Sequence, residues 1–354
     1  MQKNRQLLSH TLMLKKVLVF ILFLFAFTII PAQNEEGLVK WLTLKEAQEK
    51  NKEVKKPFLI DIYTDWCGWC KHMMKTTYSN AGLAEYINTH FYPIKFNAET
   101  KDTIEYNGKI YKPLSAQPKT PHELAVKFLG EKLSYPSTMF VTNNFEYNLL
   151  TQGYLEDKKI EPLLIFFVEN TWQSSQYEEF EKHFNNTFYD TAFPKIRVKE
   201  YSVKEVEQLQ KKKPKKVLVT FNTEFCNTCR VMNATTFVDT SIANYINKNF
   251  YLINFRATST DTILFKNEKY YNTLINNYPL HTLALKFTNN RLTFPSLCLL
   301  DEQMNLIDVL NFYQSPEHIK PILAYIATDN YKTKKFNDFM QDYLRPKQIN
   351  TKKK

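Results

Sequence analysis

The chain has 354 residues, 44% of them hydrophobic and 23% charged, a composition that excludes wholesale disorder and a length typical of two domains. The formal net charge is +11, but the first 32 residues hold four basic and no acidic residues, so about +7 remains beyond them. Much of that charge lies in the run KKKPKK at 211–216 and in the terminal KKK, which we interpret as a solvated loop and tail, because a nucleic-acid surface requires a continuous basic face.

The N-terminal segment has the pattern of a secretory signal peptide over residues 1–32. Basic residues precede a 14-residue apolar run at 17–30, and a cleavage site follows Ala32. The run is short for a membrane span, which needs about 20 apolar residues. We therefore expect an exported, periplasmic protein, with secretion or an uncleaved N-terminal membrane anchor as the alternatives. Outside the cytoplasm disulfides form and persist, which gives the five cysteines a redox context.

The segments after the leader alternate between helix and strand patterns. In chain order they predict a helix at 41–56, a buried strand at 57–64, a helix from Cys67 through 78, a strand at 91–99, a hairpin at 103–111, a helix at 122–129, a strand at 134–141, a turn at Asn143–Asn144 and an apolar helix at 158–170. Such alternation around a central mixed sheet predicts an α/β domain flanked by helices.

The chain matches itself at an offset of 159 residues. Cys67 aligns with Cys226, Cys70 with Cys229, and Pro136 with Pro295, and the flanking segments stay in register. The sequence therefore predicts two tandem copies of one domain at 38–185 and 197–345, joined by a linker at 186–196 and followed by a basic tail at 346–354.

Four interpretations compete for the pair Cys67 and Cys70. Haem attachment requires a histidine directly after the second cysteine, where this chain has Lys71. A zinc site requires a second ligand pair at short spacing, and the other pair begins 156 residues after Cys70. A structural disulfide across so small a loop removes little chain entropy. A redox dithiol remains as the interpretation that we prefer.

The predicted position of the pair favours that chemistry. Free backbone N–H groups and the dipole at a helix N-terminus stabilise a thiolate on Cys67, which we expect to be the more exposed of the two cysteines. Cys70, one turn further into the helix, is then placed to attack the mixed disulfide from within the protein.

The sequence around these cysteines resembles the thioredoxin family, and the resemblance covers most of both copies. The segment DIYTDWCGWCK at 61–71 is similar to that family's active-site strand and turn. The resemblance implies that Asp61, a buried acid paired with Lys95, accepts the proton of Cys70, and that a cis-proline at Pro136 faces the cysteines. It also implies substrate contacts in both copies, from Trp66, Trp69, Tyr135, Pro136, Phe294 and Pro295.

The second copy departs from this pattern. Thr220 and Asn254 replace the acid and the lysine, although Cys226 and Cys229 remain. We therefore expect the second pair to be a slower redox pair, a relay and docking domain, or a degenerate structural copy.

Four further features each have two interpretations. His122 and His281 are polar residues near a helix N-terminus or take part in proton transfer. Cys298 is a buried inert thiol or a third redox partner. The stretch at 103–121 covers a sheet edge or shapes substrate choice.

We accordingly expect an exported thiol-disulfide oxidoreductase that acts on protein disulfides or thiols. No soluble cofactor, no metal and no nucleic acid is expected, because electrons pass by exchange with a membrane or soluble dithiol donor. The alternative is a client-binding, chaperone-like module on the same fold, with incidental redox activity. The sequence leaves open whether the direction is reduction, oxidation or isomerisation.

Overall fold

The computed structural model describes residues 37–130, 132–190, 197–275 and 277–345. The predictions of a signal peptide at 1–32 and a tail at 346–354 therefore lie outside the described residues. So do residues 191–196 of the linker predicted at 186–196. Among the residues described, no helix is long and apolar enough to cross a bilayer.

The first half folds around one four-stranded sheet. Its strands are β1 (Phe58–Tyr63), β2 (Tyr92–Asn97), β5 (Ser137–Val141) and β6 (Asn148–Gln152), and a separate hairpin consists of β3 (Ile104–Tyr106) and β4 (Lys109–Tyr111). Its helices are α1 (Leu44–Glu53), α2 (Gly68–Lys75), α3 (Ala81–His90), α4 (Glu123–Leu129), α5 (Asp157–Val168) and α6 (Tyr177–Phe188).

The sheet of the first half has the order β2-β1-β5-β6. β1 runs parallel to β2 and antiparallel to β5. The residues of β1 are almost all buried because the strand is central and has helices on both faces. The mixed sheet with flanking helices is the predicted fold class, which is confirmed.

The second half repeats this architecture. Its helices are α7 (Val203–Gln210), α8 (Asn227–Ala234), α9 (Thr240–Asn249), α10 (Thr282–Phe287), α11 (Pro316–Ala327) and α12 (Phe336–Leu344). Its strands are β7 (Lys216–Asn222), β8 (Phe250–Arg256), β9 (Ile263–Phe265), β10 (Glu268–Tyr270), β11 (Asn272–Ile275), β12 (Tyr278–His281), β13 (Ser296–Leu300) and β14 (Leu306–Asn311). The four-stranded sheet has the order β8-β7-β13-β14, which is equivalent to that of the first half.

Several elements of the fold were not predicted from the sequence. α3 and α9 follow the cysteine helices, and each begins at a side-chain cap, Asn80 or Asp239, that accepts from a backbone N–H of the first turn. α6 extends to Phe188, whereas the first copy was predicted to end at residue 185.

The two halves share one hydrophobic cluster that contains residues of both. Phe180 of α6 is fully buried, and its ring centroid lies 5.5 Å from that of Tyr313 in the second half. The Nδ1 atom of His183 lies 2.6 Å from the hydroxyl of Tyr313. α6 is therefore one of the elements through which the first half packs on the second.

The prediction of a solvated loop at 211–216 is wrong for its last residue. Lys216 begins β7 and is only 3% exposed, with its Nζ 2.9 Å from Glu302 and 2.7 Å from Asp329. Burial acts to lower the pKa of this lysine, but the hydrogen bonds to Asp329 and Glu302 outweigh it and raise that pKa. The two carboxylates compensate the positive charge of Lys216, which is buried at the start of β7.

Candidate functional site

The first cysteine pair lies where β1 leads into α2. Cys67 is the N-cap residue of α2, and its Sγ accepts a hydrogen bond from the backbone N–H of Cys70 at 3.0 Å. Cys67 and Cys70 form a disulfide in this structure. The sulfur of Cys67 therefore occupies the helix N-terminus, where backbone N–H groups and the helix dipole stabilise negative charge.

The aromatic side chains at this site are exposed, whereas both cysteines are buried. Cys67 is 4% and Cys70 is 3% exposed, so the expectation of a distinctly more exposed first cysteine is wrong for this oxidised form. Trp66 and Trp69 are 56% and 61% exposed. Neighbouring side chains orient both indoles: Trp66 Nε1 donates to Glu99 at 2.9 Å, and the Trp69 ring lies 5.4 Å from that of His72.

Asp61 and Lys95 are brought together by the pairing of β1 with β2, in which they are direct neighbours. Lys95 Nζ lies 3.0 Å from Asp61 Oδ2 and 3.0 Å from the sulfur of Met74. Neither carboxylate oxygen of Asp61 has a well-directed hydrogen bond to a described residue. Burial raises the pKa of Asp61, and the Lys95 charge opposes that rise. Asp61 is thus a buried carboxyl group disposed to bind a proton.

The predicted proline loop lies at the end of β1 from which the cysteine segment leaves. Ser137 pairs with Ile62, and the preceding Tyr135–Pro136 peptide bond is cis. The Tyr135 ring packs edge-on against Trp66 at 6.0 Å between centroids. The loop and the cysteine segment therefore form one continuous surface.

The second cysteine pair has the same local geometry. Cys226 is the N-cap of α8 and forms a disulfide with Cys229, and the Phe294–Pro295 peptide bond is cis. Cys226 is 5% exposed and Phe225, which stands where the first half has Trp66, is 83% exposed.

The Asp61–Lys95 pair of the first half has a neutral counterpart in the second. Thr220 pairs with Asn254 across β7 and β8, and its Oγ1 donates to Asn254 Oδ1 at 2.9 Å. Neither side chain ionises, so this hydrogen bond satisfies the buried positions without providing a proton acceptor.

A carboxylate that the sequence analysis did not identify lies at the second pair. Glu169, directly after α5 of the first half, accepts hydrogen bonds from the backbone N–H groups of Asn227 at 3.0 Å and Thr228 at 2.8 Å. Its Oε2 lies 3.8 Å from the Sγ of Cys226. No sequence signal marked this residue, because it is 57 residues from Cys226 and has no acidic equivalent in the repeat.

The two histidines have a structural role in the fold. His122 caps α4, and its Nδ1 accepts from the N–H of Leu124 at 3.1 Å. His281 caps α10 in the same way, with Leu283 as the donor at 3.2 Å. Burial lowers the pKa of both imidazoles, which keeps Nδ1 free to accept. These contacts agree with the interpretation of both histidines as polar residues near a helix N-terminus.

Cys298 and the 103–121 stretch both have contacts with the surrounding fold. Cys298 is fully buried in β13, and burial raises the pKa of its thiol to about 12, as expected for an inert core residue. In the hairpin of that stretch, Asn107 N donates to Gln48 of α1 at 2.8 Å and Gln48 Nε2 donates to Glu105 O at 2.9 Å. The hairpin therefore covers α1.

Two family models match the chain, one in each half. Residues 31–167 match Thioredox_DsbH, described as a protein of unknown function, DUF255. Residues 203–327 match Thioredoxin_2, described as a thioredoxin-like domain. Fold and site thus define a protein of two thioredoxin-like halves, each with a cysteine pair at a helix N-terminus. The chain belongs to the thioredoxin family.

Comparison with curated proteins gives no match. Among solved structures, a thioredoxin-fold protein from Helicobacter pylori is 16% identical and has a TM-score of 0.30, with 45% of this chain and 88% of that chain covered. A putative disulphide-isomerase from Bacteroides thetaiotaomicron is 16% identical with a TM-score of 0.28, covering 39% of this chain and 98% of that one. At these TM-scores the likenesses carry no argument about activity.

Proposed function

We propose that the protein is an exported thiol-disulfide oxidoreductase that exchanges disulfides with protein substrates at Cys67 and Cys70. The observation that carries the proposal is the arrangement around this pair: a sulfur at a helix N-terminus, exposed aromatic side chains beside it, and the buried Asp61–Lys95 pair on the adjoining strands. Export rests on the leader pattern at 1–32.

The reaction follows from the position of each group. The thiolate of Cys67 attacks one sulfur of a client disulfide, forms a mixed disulfide and releases the other client sulfur as a thiolate. Cys70 then loses its proton to the carboxylate of Asp61 and attacks the Cys67 sulfur, which frees the second client thiolate. The client gains two electrons and the protein is left with the Cys67–Cys70 disulfide, which a dithiol donor, membrane-bound or soluble, reduces again. An oxidase would run the same steps in reverse.

Exposed aromatic side chains support a protein as the substrate. Trp66 and Trp69 offer large apolar surfaces that bind segments of a client chain, and Tyr135 with Pro136 extends this surface along the proline loop. Phe294 and Pro295 occupy the equivalent loop of the second half. The same surfaces also support the alternative of client binding without chemistry.

Single serine variants of the two attacking cysteines test the proposal. We expect Cys67→Ser to lower the rate of insulin disulfide reduction by glutathione at least about 100-fold, because the nucleophile is lost. Cys226→Ser is the matched control and should keep most of that rate. Equal activity of Cys67→Ser and the unmodified protein would contradict the proposal.

A double variant separates the redox function from client binding. Protection of a denatured client from aggregation is compared between the unmodified protein and Cys67→Ser, Cys226→Ser. If protection is strong in both, and insulin reduction by the unmodified protein is no faster than by glutathione alone, client binding is the main function.

A further inference from the structure

The carboxylate of Glu169 covers the N-terminus of the helix that carries the second cysteine pair. Besides the two backbone N–H groups, the Nδ2 of Asn227 donates to Oε1 at 3.2 Å and the hydroxyl of Thr228 donates to Oε2. Four donors thus converge on one carboxylate, whose ionised form accepts hydrogen bonds only. Glu169 belongs to the first half, so one half supplies hydrogen-bond acceptors to the helix N-terminus of the other, in addition to its N-cap residue Cys226.

A carboxylate in this position competes with a thiolate on Cys226. The Sγ of Cys226 accepts a hydrogen bond from the N–H of Cys229 at 3.0 Å. The other two N–H groups of this first turn, those of Asn227 and Thr228, donate to Glu169 instead. A negative charge on Sγ would lie 3.8 Å from Oε2, close enough for two like charges to repel each other. Burial raises the pKa of Glu169, and the hydrogen bonds from Thr228 and Asn227 oppose that rise and favour the carboxylate. The like charge disfavours the thiolate, whereas a thiol at Cys226 is able to donate to the carboxylate.

The first pair lacks this arrangement among the described residues. No carboxylate there accepts a hydrogen bond from the backbone N–H of Gly68 or Trp69, the equivalents of Asn227 and Thr228. The residue equivalent to Glu169 at the repeat offset is Thr328, whose hydroxyl donates to the carbonyl of Ala324 within its own helix.

The other charged groups of the cleft beside Cys226 have neighbours of their own. A cleft of about 720 Å³ beside Cys226 is lined by Glu224, Arg230 and His90 in addition to Glu169. Glu224 pairs with Arg256 at 3.1 Å, and the guanidinium of Arg230 stacks on the ring of Phe188 at 4.6 Å. Burial lowers the pKa of His90, and Lys56 lowers it further, which disfavours a positive charge on this imidazole.

We propose that Glu169 of the first half is a control residue for the second cysteine pair, which suppresses the thiolate of Cys226 and repels incoming thiolates from the Cys226–Cys229 disulfide. The inference rests on the proposed function for its biological meaning, but its chemistry is independent of any client. When glutathione reduces the pair, two glutathione thiols are oxidised to one glutathione disulfide. Two electrons and two protons pass to the cysteines, and Cys226 is left as a thiol beside the Glu169 carboxylate.

Alkylation of the fully reduced full-length protein by iodoacetamide tests this proposal. Peptide mass spectrometry follows Cys67, Cys226 and Cys298 separately across a range of pH. In the unmodified protein we expect the pKa of Cys226 to lie above that of Cys67 by about one unit or more. Glu169→Gln should lower the pKa of Cys226 by about one unit. Its alkylation at pH 7 should rise only about threefold, because a less basic thiolate is a weaker nucleophile.

Two further variants control the experiment. Glu169→Asp keeps the charge, so the pKa of Cys226 should stay close to its value in the unmodified protein. If Glu169 had only a structural role, Glu169→Asp and Glu169→Gln should change that pKa equally. Glu156→Gln removes an exposed carboxylate at the opposite end of α5 and should change nothing. An unchanged pKa in a folded Glu169→Gln protein, or a Cys226 as acidic as Cys67 in the unmodified protein, overturns the proposal. The comparison of Cys226 with Cys67 in the unmodified protein tests the proposal even if Glu169→Gln does not fold. No client enters the assay, so a failed insulin experiment leaves its outcome intact.

Discussion

At the scale of single residues, the two halves place their carboxylates differently around the same cysteine geometry. In the first half Asp61 is a neighbour of Lys95 on the strands next to the cysteine helix, with its pKa raised by burial. In the second half Thr220 occupies that position, and the carboxylate of Glu169 approaches the helix N-terminus from outside. An acid on the strands is suited to accept a proton, whereas one at the helix end is suited to oppose a thiolate.

Asp61→Asn should slow the step in which Cys70 resolves the mixed disulfide by about 100-fold at neutral pH, because the amide accepts no proton. In the unmodified protein this step should accelerate as the pH rises through the raised pKa of Asp61, since only the carboxylate is a base. The variant should lack this acceleration. Decay of a mixed disulfide between Cys67 and glutathione, followed by rapid acid quenching and mass spectrometry, measures both effects.

The matched control is Asp65→Asn, which removes an exposed carboxylate that accepts from Asn97 at 3.2 Å, only four residues from Asp61. It should leave the rate and its pH dependence unchanged. A normal pH profile in Asp61→Asn would show that Asp61 does not handle the proton.

At the scale of elements, the sequence predicted the parts that the repeat and the hydrophobic pattern encode. The buried strands, the cysteine helices and the Asn-Gly hairpin at Asn107–Gly108 follow from local residues, and the structure has them. α6 was not predicted either; its Phe180 packs both on Phe166 of α5 and on Tyr313 of the other half, and no local pattern states which surfaces it covers. Glu169 was missed for the same reason, since a repeat offset relates equivalent residues and not the contacts between the copies.

Phe180→Ala in α6 should lower the free energy of unfolding by about 3–5 kcal/mol, because it leaves a cavity where the halves meet. Urea unfolding followed by circular dichroism and by fluorescence gives the value. All four tryptophans lie in the first half, so fluorescence reports that half while circular dichroism reports both.

Phe225→Ala removes the same side chain from a position that is 83% exposed, and it should change stability by less than about 0.5 kcal/mol. A loss in Phe180→Ala no larger than in Phe225→Ala would show that α6 contributes little to stability.

At the scale of the whole molecule, the two copies hold cysteine pairs with different surroundings within one packed body. The first pair combines the helix N-terminus with the buried Asp61–Lys95 ion pair. The second pair has Thr220 and Asn254 in place of that ion pair and lies beside a cleft to which both halves contribute. We therefore expect electrons to enter and leave mainly through Cys67 and Cys70.

The redox state of each pair in living cells tests this division. Acid quenching, differential alkylation and peptide mass spectrometry should find that Cys67 and Cys70 change state when the donor supply changes. Cys226 and Cys229 should stay largely as a disulfide, because the Glu169 carboxylate repels attacking thiolates. A second pair that follows the first under every condition would instead show that both halves share one electron route.

The hydrophobic cluster around Phe180 and Tyr313 also bears on the ancestry of the chain. Tandem copies of a gene segment are readily lost again by recombination between them, provided that a single copy still folds. Here each copy covers part of the other's apolar surface, and deletion of either one would leave Phe180 or Tyr313 facing water. Such a deletion product would aggregate. The shared cluster thus makes the duplication difficult to reverse, which preserves the second half whatever its own activity.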